Sequence, residues 1–400
     1  MAVSVAVGNG HKLSVVHSRK KESKVMFAHK KVYNGSDIKR LYHGDNLSVL
    51  NYLLEDPKVC GKVDLIYIDP PYNTGGAFET RDFKHAYTDC FTVEEYLSFM
   101  RSRLVLMYKL LSDTGSIYVH LDSNMVFHIK VMMDEIFGMH NFKGMITRKK
   151  CKSKNYTRKT YGNISDYILF YSKTDHPIWN RPFSEWDNEK ILKEYPFIEE
   201  GTGRRYKRVP IHAPGKRNGS TGMAWKGLMP PEGKHWQFTP DKLDQMDANG
   251  EIYWSSNGNP RRKVYLDQSQ GVPVQDIWLD YLDVNNQNTC ITGYPTEKNV
   301  DMLKRIIETS SNEGDLVLDC FAGSGTTLVA AEELGRQWIG VDVGDEAIRT
   351  IENRFLHGTK KMKDYVKRSD TAPSLFEILS DDTNESNTQS IRYDLFKESI

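Results

Sequence analysis

The sequence predicts an α/β protein in which one doubly wound sheet is built from an N-terminal and a C-terminal segment, with a second domain inserted between them. Three observations predict it. Short apolar runs typical of buried parallel strands alternate with helical patterns in both segments. The alternation stops at about His176 and returns near residue 290. The stretch between these points holds six of the seven tryptophans, many basic residues and several Gly and Pro turn signals.

The N-terminal segment supplies the first strands, and we expect structure to begin near Ile38. The strand-like runs are LYHG at 41, VDLIYID at 63, SIYVHLD at 116 and DYILFYS at 166. Residues 92–111 place apolar side chains at three- and four-residue spacings, which predicts a helix packed on the sheet.

The C-terminal segment has the pattern of a βαβ unit that follows a helix, VDMLKRIIETS. A strand is predicted at 316–321, a helix over TTLVAAEELG and a strand at 336–342. Both segments together give about six parallel strands, and neither half alone closes a layered core, so one shared sheet is the economical solution. We therefore predict five regions: a basic arm at 1–35, half of the sheet domain at 36–175, the insert at 176–289, the other half at 290–358, and a tail rich in acids, Ser, Thr and Asn at 359–400.

Composition excludes several classes of protein. The 400 residues are 39% hydrophobic, enough for a large core. No apolar run reaches the roughly 18 to 20 residues of a membrane-spanning helix, and the first residues lack the charge order of a secretory signal, so we expect a cytoplasmic protein with no membrane association. The five cysteines form no CxxC pair, so neither a disulfide framework nor a metal site is expected.

Net charge is only +1, so an anionic partner has to be met by local basic clusters. Residues 148–159 hold seven Lys or Arg and no acid. Residues 201–235 hold eight basic residues and a single acid, Glu232. Each cluster is either a contact surface for such a partner or a solvated loop.

The first motif with chemical content is Asp69-Pro70-Pro71-Tyr72-Asn73, directly after the strand VDLIYI. Ligands of open α/β sheets bind beyond the carboxyl ends of strands, where these residues must lie. Two prolines stiffen the turn and remove two backbone donors. A carboxylate, a carbonyl and an aromatic face are then available to a planar ring that bears an amino group. The alternative is a rigid turn without a ligand, so the context has to decide. His120 and Asp122, at the end of SIYVHLD, either line the same pocket or form a hydrogen-bonded strand end.

The second motif, DCFAGSGTT at 319–327, ends a strand and opens a helix, and its glycines permit close approach of a ligand to the backbone. Asp342 ends the next strand, where an acidic side chain commonly binds ribose hydroxyls. A nucleoside-containing cofactor is therefore expected. The motif lacks the lysine of a phosphate-binding loop, and Leu328 stands where a nicotinamide site has its third glycine. Asp319 repels a diphosphate and attracts a cation, which favours S-adenosylmethionine with its ammonium and sulfonium groups.

Taken together, DPPY and FAGSGTT resemble the DNA amino-methyltransferases, which transfer a methyl group from S-adenosylmethionine to adenine N6 or cytosine N4. Because DPPY precedes the glycine motif, with the insert between them, the order resembles the permuted β-class, including the methylation subunits of type III restriction-modification systems. The resemblance covers about residues 40–357, with further matches at Gly44-Asp45-Asn46, DYILFYSK, WKGLMPPEGKHW, YLDQSQGVPVQDIW and GYPTEK.

The resemblance implies a Rossmann-like methyltransferase sheet and an inserted target-recognition domain. It implies that Asp69, Pro70, Pro71 and Tyr72 act on a flipped base, with the carboxylate favouring adenine. The cofactor site that it implies consists of Asp45, Asn46, Thr296, Lys298, Asp319, Phe321, Gly323, Ser324, Gly325, Thr326 and Asp342. Asn299 stands where the family motif PTxKP has its proline, which weakens the assignment of Lys298.

The resemblance also gives the basic clusters a partner, double-stranded DNA. Phosphate contacts are expected from Arg148, Lys149, Lys150, Lys152 and Lys154, and in the insert from Arg204, Arg205, Lys207 and Arg208. A homodimer is expected by resemblance, and a restriction subunit is a partner that the resemblance allows. The tryptophans of the insert are expected in its core rather than stacked on bases.

Two alternatives stay open on the sequence. One changes the substrate, to cytosine N4 or to RNA. The other is a DNA-binding subunit of the same fold that does not catalyse methyl transfer, although the intact DPPY and glycine motifs count against it.

Overall fold

The structure is a computed structural model of the chain. It describes residues 26–32, 35–71, 77–79, 85–88, 92–153, 159–283, 290–295, 297–361 and 391–399.

The chain forms two compact units, one of residues 181–275 and one of the residues on either side. The strands of the flanking unit are β1 (Met26–Lys31), β2 (Lys39–His43), β3 (Val63–Ile68), β4 (Ala77–Glu79), β5 (His85–Thr88), β6 (Leu111–Leu121), β7 (Phe142–Lys149), β8 (Ser165–Ser172), β17 (Ile277–Trp278), β18 (Cys290–Ile291), β19 (Leu316–Asp319), β20 (Gln337–Asp342), β21 (Lys360–Lys361) and β22 (Asp394–Ser399). Its helices are α1 (Asn46–Leu54), α2 (Val93–Leu110), α3 (Val126–Phe137), α6 (Val300–Ser310), α7 (Thr326–Glu333) and α8 (Asp345–His357). The second unit contains strands β9 (Phe183–Ser184), β10 (Phe197–Ile198), β11 (Arg205–Pro210), β12 (His212–Pro214), β13 (Lys234–Trp236), β14 (Ile252–Trp254), β15 (Pro260–Tyr265) and β16 (Val272–Pro273), with helices α4 (Asn188–Glu194) and α5 (Pro240–Ala248).

One mixed sheet organises the flanking unit, in the order β1-β22-β2-β20-β19-β3-β6-β8-β7-β17. Its centre, from β2 to β6, is parallel. Strand β3 of the N-terminal segment pairs with β19 of the C-terminal segment, with Leu65 opposite Val317 and Ile66 opposite Leu318. The prediction of an α/β fold with one sheet built from both segments is therefore confirmed.

Helix α2 illustrates how the sequence sets the layers. Thr92 and Glu95 form a capping box, in which the Thr92 hydroxyl accepts from the Glu95 N–H and the Glu95 carboxylate accepts from the Thr92 N–H. The buried side chains of the helix recur at three- and four-residue spacings, as at Tyr96, Met100 and Leu104. They pack on the apolar faces of the sheet and close its core.

Both outer regions of the chain contribute strands to the sheet, which differs from the predicted arm at 1–35 and tail at 359–400. Strands β1 and β22 pair antiparallel, and β22 also pairs parallel with β2. Each strand is short and largely polar, so its pattern is weak. Its partner lies in a distant part of the chain, so local sequence does not reveal the pairing.

The second unit, residues 181–275, compares with the predicted insert at 176–289. Trp225 and Trp236 are buried in its small core beside helix α5, as expected for tryptophans that serve packing. Trp179 and Trp254, which were expected in the same core, are exposed. Strands β9 and β16 pair antiparallel, and the Val274 N–H donates to the Pro182 carbonyl at 3.0 Å. The chain therefore enters and leaves this unit as a paired two-stranded ribbon.

Among the residues that the structure describes, no helix combines the length and the apolar character needed to cross a membrane.

Candidate active site

The two predicted motifs follow neighbouring parallel strands. Because β3 and β19 pair in parallel, the turn that begins at Asp69 and the turn that begins at Cys320 leave the sheet at the same edge. Their charges are coupled: burial raises the pKa of Asp319 to about 7, and the negative charge of Asp69 adds to that rise. The sheet thus brings the carboxylate motif and the glycine motif together.

Asp69 has a cationic partner that the sequence does not pair with it. Lys298 Nζ lies 2.6 Å from Asp69 Oδ2, and both side chains are largely shielded from solvent. His120 Nδ1 lies 4.0 Å from the other carboxylate oxygen, Oδ1. Pro70 is buried and Pro71 half-buried, whereas Tyr72 lies outside the described residues. Lys298, expected at the cofactor, is therefore a direct neighbour of the predicted catalytic carboxylate.

Asn299, which replaces the proline of the family motif, begins helix α6. Its Oδ1 accepts from the N–H of Asp301 at 2.8 Å and from that of Met302 at 3.4 Å. A side-chain N-cap fixes the start of the helix. Asn299 therefore holds Lys298 immediately before the start of helix α6. Thr296 lies outside the described residues.

A buried polar chain lies behind Asp69. The Tyr67 hydroxyl lies 2.8 Å from His120 Nδ1, and His120 Nε2 lies 2.9 Å from Asp166 Oδ2. Arg148 donates to both oxygens of Asp166, from Nε at 2.9 Å and from Nη2 at 3.0 Å. Burial alone would raise the pKa of Asp166, but His120 and Arg148 outweigh it and hold the pKa below its usual range. These contacts therefore keep the Asp166 carboxylate charged.

The position of Arg148 corrects one prediction. Its side chain is 0% exposed, and its guanidinium also donates to Asp283. A phosphate cannot reach it without the loss of these ion pairs, so we remove Arg148 from the expected DNA contacts. The prediction of DNA contact rested on the high positive charge of the segment. In strand β7, however, Arg148 is one of the buried residues.

The glycine turn depends on two left-handed residues, Gly323 with φ 51° and Gly325 with φ 72°. A Cβ at Gly325 would also lie 2.9 Å from the Ile351 side chain. Asp319 supports the turn from below, because its oxygens accept from the Phe321 N–H at 3.0 Å and from the Thr327 hydroxyl at 2.5 Å. Asp319 is only 2% exposed, so its carboxyl group shapes the turn from a buried position.

Asp342 connects three loops at the same edge. Its carboxylate accepts from the N–H groups of Gly323 and Gly344, both at 2.8 Å, and its backbone carbonyl accepts from the Gly44 N–H at 3.0 Å. Burial raises the pKa of Asp342 to about 6. Asp342, which we expect to bind the ribose hydroxyls, therefore lies where the Gly44 loop and the glycine turn meet.

The Gly44 loop is tied to the glycine turn by side chains. Asn46 is buried, donates to the Cys320 carbonyl at 2.9 Å and accepts from Arg103 Nε at 2.5 Å. Arg103 Nη2 also donates to Asp45 Oδ1 at 2.9 Å, and its guanidinium lies 3.5 Å from the centre of the Phe99 ring. The sequence did contain a signal for Arg103, a basic residue within the apolar stripe of α2 that our interpretation passed over.

Arg354 is a second arginine that the sequence pattern did not single out, and it contacts the glycine turn. Arg354 Nη1 donates to the Thr326 hydroxyl at 2.9 Å and to the Ser324 carbonyl at 3.3 Å, and it lies 3.1 Å from Glu297 Oε1. Glu297 Oε2 accepts from the Thr292 N–H at 2.8 Å. Arg354 and Glu297 thus join the segment that precedes Lys298 to the glycine turn. Phe321, also in the turn, contacts the Phe99 ring with centroids 6.1 Å apart.

The other predicted DNA contacts of the first basic cluster differ in how exposed they are. In the first cluster, Lys152 is exposed and Lys149 and Lys150 are half-buried, while Lys154 lies outside the described residues.

In the insert, all four predicted contacts have partners within the unit. Arg204 donates to both oxygens of Asp267, at 2.7 and 2.8 Å. Arg205 donates to the Tyr195 carbonyl at 3.4 Å, and Lys207 Nζ lies 4.0 Å from Glu194 Oε2. The Arg208 guanidinium lies 3.5 Å from the centre of the Phe197 ring and 3.4 Å from that of Tyr253. The Arg208 side chain is half-buried beside these rings, and its predicted DNA contact stays a prediction.

Comparison with known proteins gives consistent results. The family model described as DNA methylase, covering N6 and N4 methyltransferases, matches residues 63–353. The chain is 51% identical over 325 residues to the type II methyltransferase M.EcaI of Enterobacter cloacae, covering 81% of this chain and 71% of that protein. It is 32% identical over 337 residues to the Mod subunit of the type III restriction-modification enzyme StyLTI of Salmonella typhimurium, covering 74% of this chain and 50% of that subunit. The solved M1.HpyAVI–SAM complex is similar at a TM-score of 0.43 and 16% identity, covering 79% of this chain and 98% of that one. The expected similarity to type III subunits is present, but the type II methyltransferase is more similar.

Proposed function

This chain belongs to the DNA methylase family of N6 and N4 methyltransferases, and from that premise we propose that it transfers the methyl group of S-adenosylmethionine to the exocyclic N6 of an adenine flipped out of duplex DNA. The observation that carries the proposal is the position of Asp69 beside the glycine turn, at the ends of two paired parallel strands.

The residues at this edge fit the cofactor. Asp342 offers an acceptor for ribose hydroxyls, the backbone of residues 321–326 approaches a ligand closely at Gly323, and Asp45 is exposed at the start of α1. Asp319 holds the turn in shape from its buried position. S-adenosylmethionine supplies an electrophilic methyl group on a sulfonium.

The chemistry assigned to Asp69 is to orient the amino group of the base. The nitrogen lone pair of adenine is delocalised into the ring, so the amino group attacks poorly unless its hydrogens are held. The Asp69 carboxylate and the Pro70 carbonyl accept one N–H each, which directs the lone pair at the methyl carbon. As the N–C bond forms, the bond between the methyl carbon and the sulfonium sulfur breaks, and its electron pair stays on sulfur, which leaves as the neutral thioether. The methylated amine then gives one proton to Asp69, which passes it to water, and the N–H electron pair returns to nitrogen.

Lys298 has a defined part in this scheme. Its ammonium lies 2.6 Å from Asp69 Oδ2 and fixes the orientation of that carboxylate. Oxygen Oδ1 is then the acceptor that we assign to the base. The carboxylate also stabilises the positive charge that develops on the amine, an electrostatic effect of about 3 to 4 kcal/mol for a lost group in other enzymes.

DNA binding is proposed from the remaining exposed and half-buried cations. Flipping the base costs a few kcal/mol, which stacking on Tyr72 offsets by roughly 1 to 3 kcal/mol. Lys149, Lys150, Lys152 and Lys154 contact phosphates near the catalytic sheet, and Arg204, Arg205, Lys207 and Arg208 do so in the insert, which selects the target sequence. The homodimer and the restriction subunit stay predictions from family resemblance.

The two candidate activities differ in the base that is methylated. An aspartate at position 69 favours adenine by family resemblance, and cytosine N4 is the second candidate. The test incubates the protein with S-adenosylmethionine carrying a deuterated methyl group and with unmethylated bacterial DNA, followed by digestion and mass spectrometry of the nucleosides. Deuterated N6-methyladenine is expected. Deuterated N4-methylcytosine would assign the alternative substrate, and label in neither nucleoside would reject catalysis in favour of a DNA-binding role.

A further inference from the structure

The strand β22 lies between β1 and β2 and ends beside the Gly44 loop. Its parallel register with β2 places Lys397 opposite His43, so Glu398 stands next to the first loop residue, Gly44. Glu398 Oε2 accepts from the Asp45 N–H at 2.9 Å. This carboxylate therefore lies at the start of helix α1, where a negative charge is favoured by the helix dipole.

The approach is close enough to require glycine at position 44. A Cβ there would lie 2.7 Å from Glu398 Oε2, 2.9 Å from Glu398 Cβ and 3.3 Å from the Phe27 ring. On its other side, the Gly44 N–H donates to the Asp342 carbonyl at 3.0 Å. The loop is thus held between Asp342 and Glu398, one from each neighbouring strand.

Strand β22 is anchored firmly enough to act as a support. Tyr393, 1% exposed, packs against Trp338 and Phe355. Phe396 stacks on Tyr42 with ring centroids 4.7 Å apart. Tyr393 and Phe396 lie beyond 63–353, the range matched by the family model.

We propose that Glu398 is a positioning residue for the cofactor site: it fixes the backbone of Asp45, and through it the loop whose next side chain, Asn46, is bound to the glycine turn at the Cys320 carbonyl. Docking of β22 is thereby coupled to affinity for S-adenosylmethionine. The inference rests on the proposed function, because it takes the Gly44 loop to contact the cofactor.

The consequence is a defect in cofactor binding that leaves DNA binding intact. Loss of a hydrogen bond to a charged acceptor weakens an interaction by about tenfold. E398A therefore raises the Kd for S-adenosylmethionine and its KM about tenfold, with a smaller change in the KM for DNA. E398Q keeps an acceptor oxygen and loses less. K397Q, which removes an exposed charge from the neighbouring residue of the same strand, is the matched control and keeps the wild-type Kd.

The experiment measures binding of S-adenosylmethionine to the full-length protein by isothermal titration calorimetry without DNA, with Tm recorded for each variant. A Kd for E398A within twofold of wild type overturns the inference, and so does an equal loss in K397Q. If E398A does not fold, E398D takes its place, since it keeps the charge but withdraws the carboxylate by one methylene, and the same outcomes apply.

A double-mutant cycle adds a readout that general destabilisation does not give. G44A displaces the Glu398 carboxylate from the Asp45 N–H, so the hydrogen bond is already lost in G44A, and G44A and E398A together weaken binding by little more than G44A alone. Fully additive effects overturn the proposed coupling. Failure of the wild-type protein to bind S-adenosylmethionine would instead reject the proposed function, which keeps the two failures distinct.

Discussion

Lys298 Nζ and Asp69 Oδ2 lie 2.6 Å apart, an ion pair that joins the C-terminal segment to the carboxylate at the end of β3. Both side chains are largely shielded from water, so the interaction is stronger than that of an exposed surface pair. In the proposed mechanism the pair prepares the acceptor before the base arrives.

Replacement of Asp69 tests the central assignment. Asp69→Ala removes the carboxylate acceptor, and we expect single-turnover methyl transfer to fall by about 100-fold or more while the Kd for S-adenosylmethionine changes little. Asp113→Asn, at a carboxylate whose side chain is 89% exposed, is the matched control and retains transfer. Wild-type turnover in Asp69→Ala would refute the role.

Replacement of Lys298 separates orientation of the carboxylate from cofactor binding. Lys298→Ala leaves Asp69 without its ammonium neighbour, and we expect kcat to fall about tenfold with partial recovery in Lys298→Arg. Lys304→Ala, which breaks an ion pair with Glu333 elsewhere on the unit, should keep the wild-type kcat. If only the KM for S-adenosylmethionine rises in Lys298→Ala, the residue belongs to the cofactor site alone.

Arg148 and Lys152 carry the same charge in one segment but should behave differently. Lys152→Ala removes a proposed phosphate contact, so DNA affinity should fall and the salt dependence of log Kd should lose about one unit of slope. Arg148→Met leaves Asp166 buried without its partner, so we expect a loss of about 3 to 5 kcal/mol in the free energy of unfolding. Fluorescence anisotropy on DNA and urea unfolding measure the two effects, and a wild-type free energy of unfolding in Arg148→Met would contradict the buried role.

Asp319 should make stability depend on pH. Burial raises its pKa to about 7 in the folded protein, against about 4 for an unfolded aspartate. Between these values the folded state holds a proton that the unfolded state has released, so the free energy of unfolding falls as pH rises through this window.

Asp319→Asn removes that titration, and the variant should show a flatter pH dependence between pH 5 and 8 than the wild type. Urea unfolding at both pH values measures the difference, which isolates Asp319 from other groups that titrate in both proteins. Parallel pH profiles for the two proteins would show that Asp319 does not titrate in this range.

The sequence was informative where chemistry and local pattern coincide. The apolar run before Asp69 and the one before Cys320 are each readable as buried strands, so their shared sheet and their adjacent turns could be predicted. Partners across long separations could not. Nothing in the sequence near Lys298 points to Asp69, and nothing near Arg354 points to Glu297.

Charge density was the least reliable signal. Arg148 stands in a basic run that predicted DNA contact, yet it is buried in ion pairs. Burial depends on strand register, which a run of like charges does not encode. The strand at Asp394–Ser399 was missed for a related reason, since its partner β2 lies in the opposite part of the chain.

The ribbon formed by β9 and β16 has an evolutionary consequence. Strands β9 and β16, at the two ends of the segment, are hydrogen-bonded to each other. Residues 183–273 can therefore be replaced as one segment without a change in the length of the connections. Under the proposed function, this segment selects the target sequence and the flanking unit transfers the methyl group. A hybrid spliced at this ribbon should acquire the donor's choice of sequence while it retains the recipient's turnover.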